Sequence, residues 1–250
     1  MLAHWRPSPK LIERMEPQRN PAVVLIAAMP GELAPLTRSW PALATVDGVA
    51  AYQHPSTTIL AFHAGMGATH ATRAFARAQQ VCEPRAVYSV GWVGGLVASA
   101  HAGNVLRADA VRDLATGEVF QCTPSDWATH GTLLTARRVA AREHKLELAS
   151  RYPDARMVDM EAATIARLAA AHGLPFRSVK AVSDALIDEL PDLNPFVRDD
   201  GTFAQASFAL HVAIRPRHWA DVARFGKQAK LAAQNLCDSL AGELGIEKPR

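Results

Sequence analysis

The stretch that most constrains the fold is PAVVLIAAM, Pro21 to Met29, an almost unbroken apolar run that carries no charge. A short run without polar alternation marks a strand buried on both faces, as found in sheets covered by helices on either side. It breaks at Pro30 and Gly31, and Glu32 then opens a helix through Leu33, Leu36 and Trp40. The pattern recurs. TTILAFHAGMG, Thr57 to Gly67, is a second buried strand that runs into a Gly-x-Gly turn, with an alanine-rich helix behind it from about Thr69 to Cys82. AVYSVGWVGGL, Ala86 to Leu96, is a third, with Gly91, Gly94 and Gly95 read as a turn after the strand. Those glycines either bring backbone close to a ligand or simply permit the turn. The dinucleotide fingerprint fails at the first Gly-x-Gly, because its third glycine and its strand-end acid are missing.

These repeats predict an α/β fold, a single three-layer domain whose central, mixed but mostly parallel twisted sheet is flanked by helices. At 250 residues, 49% hydrophobic and 20% charged, the chain has enough material for one such core. Residues 21–250 are assigned to that domain. Residues 1–20, with Pro7, Pro9 and Pro17 among charges and no secretory apolar region, are read as a mobile N-terminal arm. A formal charge of +3 gives no footing for a nucleic-acid partner. Cys82, Cys122 and Cys237 are odd in number and widely spaced, which argues against a disulfide framework or a metal site and for a reducing, cytoplasmic setting. No apolar run approaches the roughly 20 residues of a spanning helix.

Arg156 to Asp184 reads as a helix closed by Gly173 and followed by a strand from Phe176 to Val182. Ala162, Ile165, Ala166 and Ala169 give the helix one apolar face, and Asp159 and Glu161 are placed in its first turn, where the helix dipole favours acids. Asp184 lies just past the strand, at the end where open α/β sheets bind ligands. Gly103 to Val111 reads as a further strand, Leu114 to His130 as a loop or lid, and Arg137 to Ala149 as a basic, solvated helix with its charges on the surface. A loose loop follows Asp184. The stripe Trp219, Val222, Phe225, Ala229, Ala232, Leu236 and Leu240 closes the chain as a core-packed amphipathic helix, and His211 and His218 are read as structural or exposed.

AAMPGELAPL, SVGWVGGL followed by AGNVL, and VDMEAATIA followed by VKAVSD together resemble the purine nucleoside phosphorylase and nucleosidase superfamily. The resemblance is nearest the methylthioadenosine/S-adenosylhomocysteine nucleosidase branch. LLTARRVAAREHK and the RPRHW region are also similar, more weakly, to hopanoid-associated members. The resemblance implies that Asp184 protonates the departing purine, with Ser183 orienting it, that Glu32 activates a water, and that Glu161 binds the ribose hydroxyls. Gly94, Met160 and Ala140 align with positions that contact base or sugar. It further implies a small-molecule purine nucleoside as partner, a homo-oligomer that is at least a dimer, and no cofactor or metal.

Three positions depart from the family pattern. Trp92 replaces the serine that helps to place the nucleophile, Val139 stands where an aromatic stacks on adenine, and Lys180 replaces an arginine. The arginines that hold phosphate in hexameric phosphorylases are absent, with Ala34 and Pro35 following MPGE and Ser89 standing before the glycine turn. Water is therefore the expected nucleophile. The alternatives are a phosphorylase or nucleosidase of a lipid-linked nucleoside, for which the Leu186–Phe208 loop and Arg215–Trp219 would form an apolar, membrane-facing mouth, and a nucleoside-binding protein without turnover.

Overall fold

The computed structural model describes residues 20–189, 194–196, 204 and 219–247, with side chains in the last segment described from Val222 onward. The proline-containing arm, His211 and His218, and most of the two segments proposed as a lipid mouth lie outside the described residues.

Strand β1, Pro21–Ala27, sits at the centre of the sheet. Val24 and Ile26 face one core and Val23, Leu25 and Ala27 the other, which is why this run has no polar alternation. It pairs in parallel with β4, Ile59–His63, and with β5, Glu83–Gly95, and β5 in turn pairs in parallel with β11, Phe176–Asp184. Antiparallel pairs lie at both edges and where β5 meets the next strand of the order. The hairpin of β2, Ala42–Val46, and β3, Val49–Gln53, extends beyond β4. On the far side, β10, Ala155–Asp159, meets the last residues of β5 antiparallel and leads in parallel register through β9, Thr132–Thr135, to β7, Ala110–Asp113, with β8, Val119–Gln121, at the edge. Strand β6, Val105–Arg107, pairs with β11. The segment expected as one strand from Gly103 to Val111 is thus two, joined to different neighbours.

Helices α2, Ala68–Val81, and α4, Ala162–Ala171, cover one face; α1, Pro30–Thr37, and α5, Trp219–Leu244, cover the other. The apolar face of α4 is buried as its periodicity predicts, and a side chain such as Ile165 gains about 1.5–3 kcal/mol from that burial. Gly173, at φ +64, ends the helix. Its N–H donates to Ala170 O and that of Leu174 donates to Ala169 O, the paired closing bonds that a left-handed residue makes possible.

Three expectations are corrected. Asp159 ends a strand and Glu161 is the N-cap of α4, so neither lies inside its first turn, although Asp159 Oδ2 still accepts the Ala162 N–H at 3.0 Å. Gly91, Gly94 and Gly95 lie within β5 rather than in a turn after it. Helix α3, Arg142–Arg151, begins later than expected and is not wholly solvated, since Lys145 is completely buried.

Candidate active site

The carboxyl ends of β1, β5, β10 and β11, with the turn after β4, surround a cavity of about 130 Å³. Glu32, Gly94, Ala140, Met160, Glu161, Ser183 and Asp184, scattered through the sequence, all line it, together with Met29, Met66, Trp92 and Phe225.

Glu32 is placed by the start of α1. Its Oε2 accepts the N–H groups of Ala28 and Met29, both at 2.8 Å, so it satisfies free amides at the helix start while facing the cavity. Its Oε1 accepts the Trp92 N–H at 2.8 Å, tying α1 to β5. Burial raises its carboxyl above the ordinary range, and the amides and the charge of Lys180 pull against that rise. Gly91 makes the contact possible. At φ +133, a Cβ there would lie 2.6 Å from Glu32 Oε1.

Asp184 is held on both oxygens. Oδ1 accepts the Ser183 hydroxyl at 2.7 Å, and Oδ2 meets Lys145 Nζ at 2.7 Å. Lys145 also donates to the Ala185 carbonyl. Burial raises the Asp184 carboxyl above the ordinary range, and Lys145 and Ser183 offset only part of that rise. Removing one partner from a buried pair of this kind costs about 3–5 kcal/mol, because the other charge is stranded.

Glu161 Oε1 accepts the Gly67 N–H at 2.6 Å, which brings the turn before α2 to the start of α4. Burial, with the charge of Asp159 nearby, pushes its carboxyl up to about 8. Asp159 itself pairs with Lys180 at 2.9 Å and accepts the Thr135 hydroxyl at 2.8 Å. At the remaining wall, the Val139 N–H donates to Asn194 Oδ1 at 3.0 Å and Asn194 Nδ2 donates to the Val139 carbonyl at 3.2 Å.

Phe225 was expected in the core; it lines the cavity while Ala229, Ala232, Leu236 and Leu240 carry the core contact of α5. No local signal separates it from the rest of its stripe. Lys145 was likewise invisible in the sequence, where it reads as one more cation of a solvated helix. Trp92 forms part of the wall, with its indole N–H unpartnered among the described residues and its ring against Gly31.

Residues 22–143 and 127–214 match the Phosphorylase superfamily, which is most of the chain. The chain belongs to that superfamily. Comparison with curated proteins returns no match. Among solved structures, this superfamily member is similar to the 5′-methylthioadenosine nucleosidase of Arabidopsis thaliana in apo form, with a TM-score of 0.67 and 17% identity, over 92% of this chain and 96% of that one. It is also similar to the 5′-methylthioadenosine/S-adenosylhomocysteine nucleosidase of Neisseria meningitidis in complex with methylthio-immucillin-A, at TM-score 0.65 and 19% identity, over 89% and 98% of the two chains. A third, from Colwellia psychrerythraea in complex with adenine, matches at TM-score 0.64 and 20% identity, over 92% and 97%. At these identities the likeness establishes the nucleoside phosphorylase-like fold.

Proposed function

We propose that this superfamily member is an N-ribosyl hydrolase that releases adenine from an adenine nucleoside. The observation that carries the reading is the convergence of Glu32, Glu161 and Asp184 on one cavity, each held by different partners. Three buried carboxylates cost stability, and packing alone has no use for them.

Cleavage of a ribosyl–purine bond leaves an oxocarbenium-like sugar and an anionic base, so the base must gain a proton as the bond stretches. In this reading Asp184 delivers it, with Ser183 fixing the carboxyl plane. Glu32 accepts a proton from the attacking water, its position set by three backbone amides. Glu161 receives the ribose hydroxyls, and Gly94, Met160 and Ala140 form walls against base and sugar.

The Val139 backbone supports an adenine base. Its N–H and C=O stand side by side and are now satisfied by a carboxamide, which offers an acceptor next to a donor. The ring nitrogen and amino group of a 6-aminopurine offer the same pair, and a 6-oxopurine reverses it. The cavity is smaller than the roughly 300 Å³ at which small-molecule pockets begin, so a bound nucleoside displaces groups around it, and a base on the Val139 backbone takes the place of the Asn194 amide.

Water is favoured over phosphate by charge. Among the described residues Arg138 is the only arginine lining the cavity; Lys180 is engaged by Asp159 and Lys145 by Asp184. A phosphate dianion would meet the Glu32 carboxylate with Arg138 as the one cationic fork on the cavity wall, where phosphorolysis calls for more. Trp92 favours a second reading, binding without turnover, because its side chain stands on the wall beside Glu32.

The test is free base measured from a panel of nucleosides with and without phosphate. Adenine release independent of phosphate, preferred over 6-oxopurine release, lost in Glu32→Gln and reduced about 10²–10⁴-fold in Asp184→Asn is expected. Ribose 1-phosphate as product would establish phosphorolysis, and binding with no base released would establish the second reading.

A further inference from the structure

A general acid has to hold a proton before it can give one, and the surroundings of Asp184 leave little room for a resident proton. Oδ1 already accepts the Ser183 hydroxyl, and Oδ2 already accepts a Lys145 N–H. Lys145 has no access to water. Its two acceptors are Asp184 and the Ala185 carbonyl, and Asp184 is the only carboxylate within ion-pair distance among the described residues. The pair reaches the cavity through Oδ2: a Cβ on Gly94 would lie 3.2 Å from Asp184 Oδ2 and 3.2 Å from Lys145 Cδ.

We propose that the proton delivered to the departing base resides on Lys145 in the free protein and that Asp184 relays it. The inference rests on the hydrolase reading and adds a residue to it. As the C1′–N bond breaks, its electron pair goes to the base. Lys145 Nζ passes its proton to Asp184, and Asp184 passes it to the base nitrogen. Water forms the new C1′–O bond and gives its proton to Glu32. When the products leave, Glu32 releases that proton to solvent and Lys145 is recharged with one through Asp184, which faces the cavity, so the sum is nucleoside plus water to base plus ribose.

Asp188, in the turn after β11, adds a negative field at Asp184 while accepting the Ala185 N–H and a Gln228 N–H. Arg142, on α3, is spent on Glu189 at the surface. Across the cavity stand Glu32 and Glu161, with Arg138 also on its wall. Lys180 is neutralised by Asp159. Lys145 is therefore the cation in direct contact with the acid.

The experiment compares pH profiles of kcat/KM for wild type and Lys145→Met on two substrates: an adenine nucleoside, and an N7-methylated purine nucleoside whose base departs without needing a proton. In Lys145→Met a proton can reside only on Asp184. The expected result is a kcat/KM for the adenine nucleoside that falls about tenfold per pH unit in Lys145→Met once Asp184 ionises, where wild type holds its plateau. With the methylated substrate the ratio between the two proteins should be the same at every pH. An equal loss on both substrates at every pH, or no added alkaline loss, overturns the proposal. A second measurement needs no variant and no turnover: infrared spectra of wild type with ¹³C-labelled aspartate carboxyls. The proposal expects no label-sensitive protonated-carboxyl band at neutral pH; such a band would place the proton on an aspartate and overturn it. If no nucleoside is cleaved, the hydrolase reading fails while the infrared result still decides where the proton resides.

Discussion

Gly91→Ala tests how the nucleophile end of the cavity is built. The added Cβ would stand 2.6 Å from Glu32 Oε1 and 2.8 Å from its Cδ, and the backbone is at φ +133. An L side chain in that conformation costs about 1–3 kcal/mol. The carboxylate has to retreat, which breaks its 2.8 Å bond from the Trp92 N–H, a charged hydrogen bond worth about 1.5–3 kcal/mol. The expected destabilisation is the sum, about 2.5–6 kcal/mol, a large part of the roughly 5–15 kcal/mol that holds a domain together. Gly48→Ala is the control. Gly48 also has positive φ, +75, but a Cβ there meets nothing within 4 Å, so only the backbone cost of about 1–2 kcal/mol applies. Urea denaturation of the two variants and wild type separates the contributions, and adenine release should fall about 10²–10⁴-fold in Gly91→Ala and stay at wild-type level in Gly48→Ala. Equal destabilisation of the two variants, or full activity in Gly91→Ala, would refute the claim that this glycine exists to admit Glu32.

Glu161 predicts a pH dependence of stability. Its carboxyl lies at about 8 in the fold against an ordinary 4.5, so between those values the folded chain keeps a proton that the unfolded chain has released. This contribution is fully present below about 4.5 and is lost as pH rises toward 8, at no more than about 1.4 kcal/mol per pH unit. Glu161→Gln should flatten the slope of the urea midpoint, and a wild-type slope that matched the variant's would contradict the assignment. A homodimer is predicted, as the resemblance to the superfamily implies. Light scattering at micromolar concentration should then give about twice 26.9 kDa, and the monomer mass alone would count against it.

The sequence by itself determined the elements whose cause is local. Strands β1 and β4 are apolar runs that only a covered sheet can bury, β11 follows from its alternation between Gly173 and Asp184, and the face and end of α4 follow from alanine spacing and one glycine. Short strands in mixed surroundings were not legible. Thr132–Thr135 and Ala155–Asp159 are too brief to carry a period, and each is a strand because the other lies beside it. The hairpin from Ala42 to Gln53 is held in the same way by the edge of β4. Motif resemblance located Glu32, Glu161 and Asp184 along the chain, but their meeting in one cavity depends on where the strands end in space. Lys145 marks the limit most sharply. A lysine on a polar helix belongs in water unless an opposite charge meets it, and Asp184, 39 residues further on, is set against it only by the packing of α3 on β10. Periodicity reports which way a residue faces on its own element, whereas the cost of burying a charge is decided by what the rest of the fold brings to it.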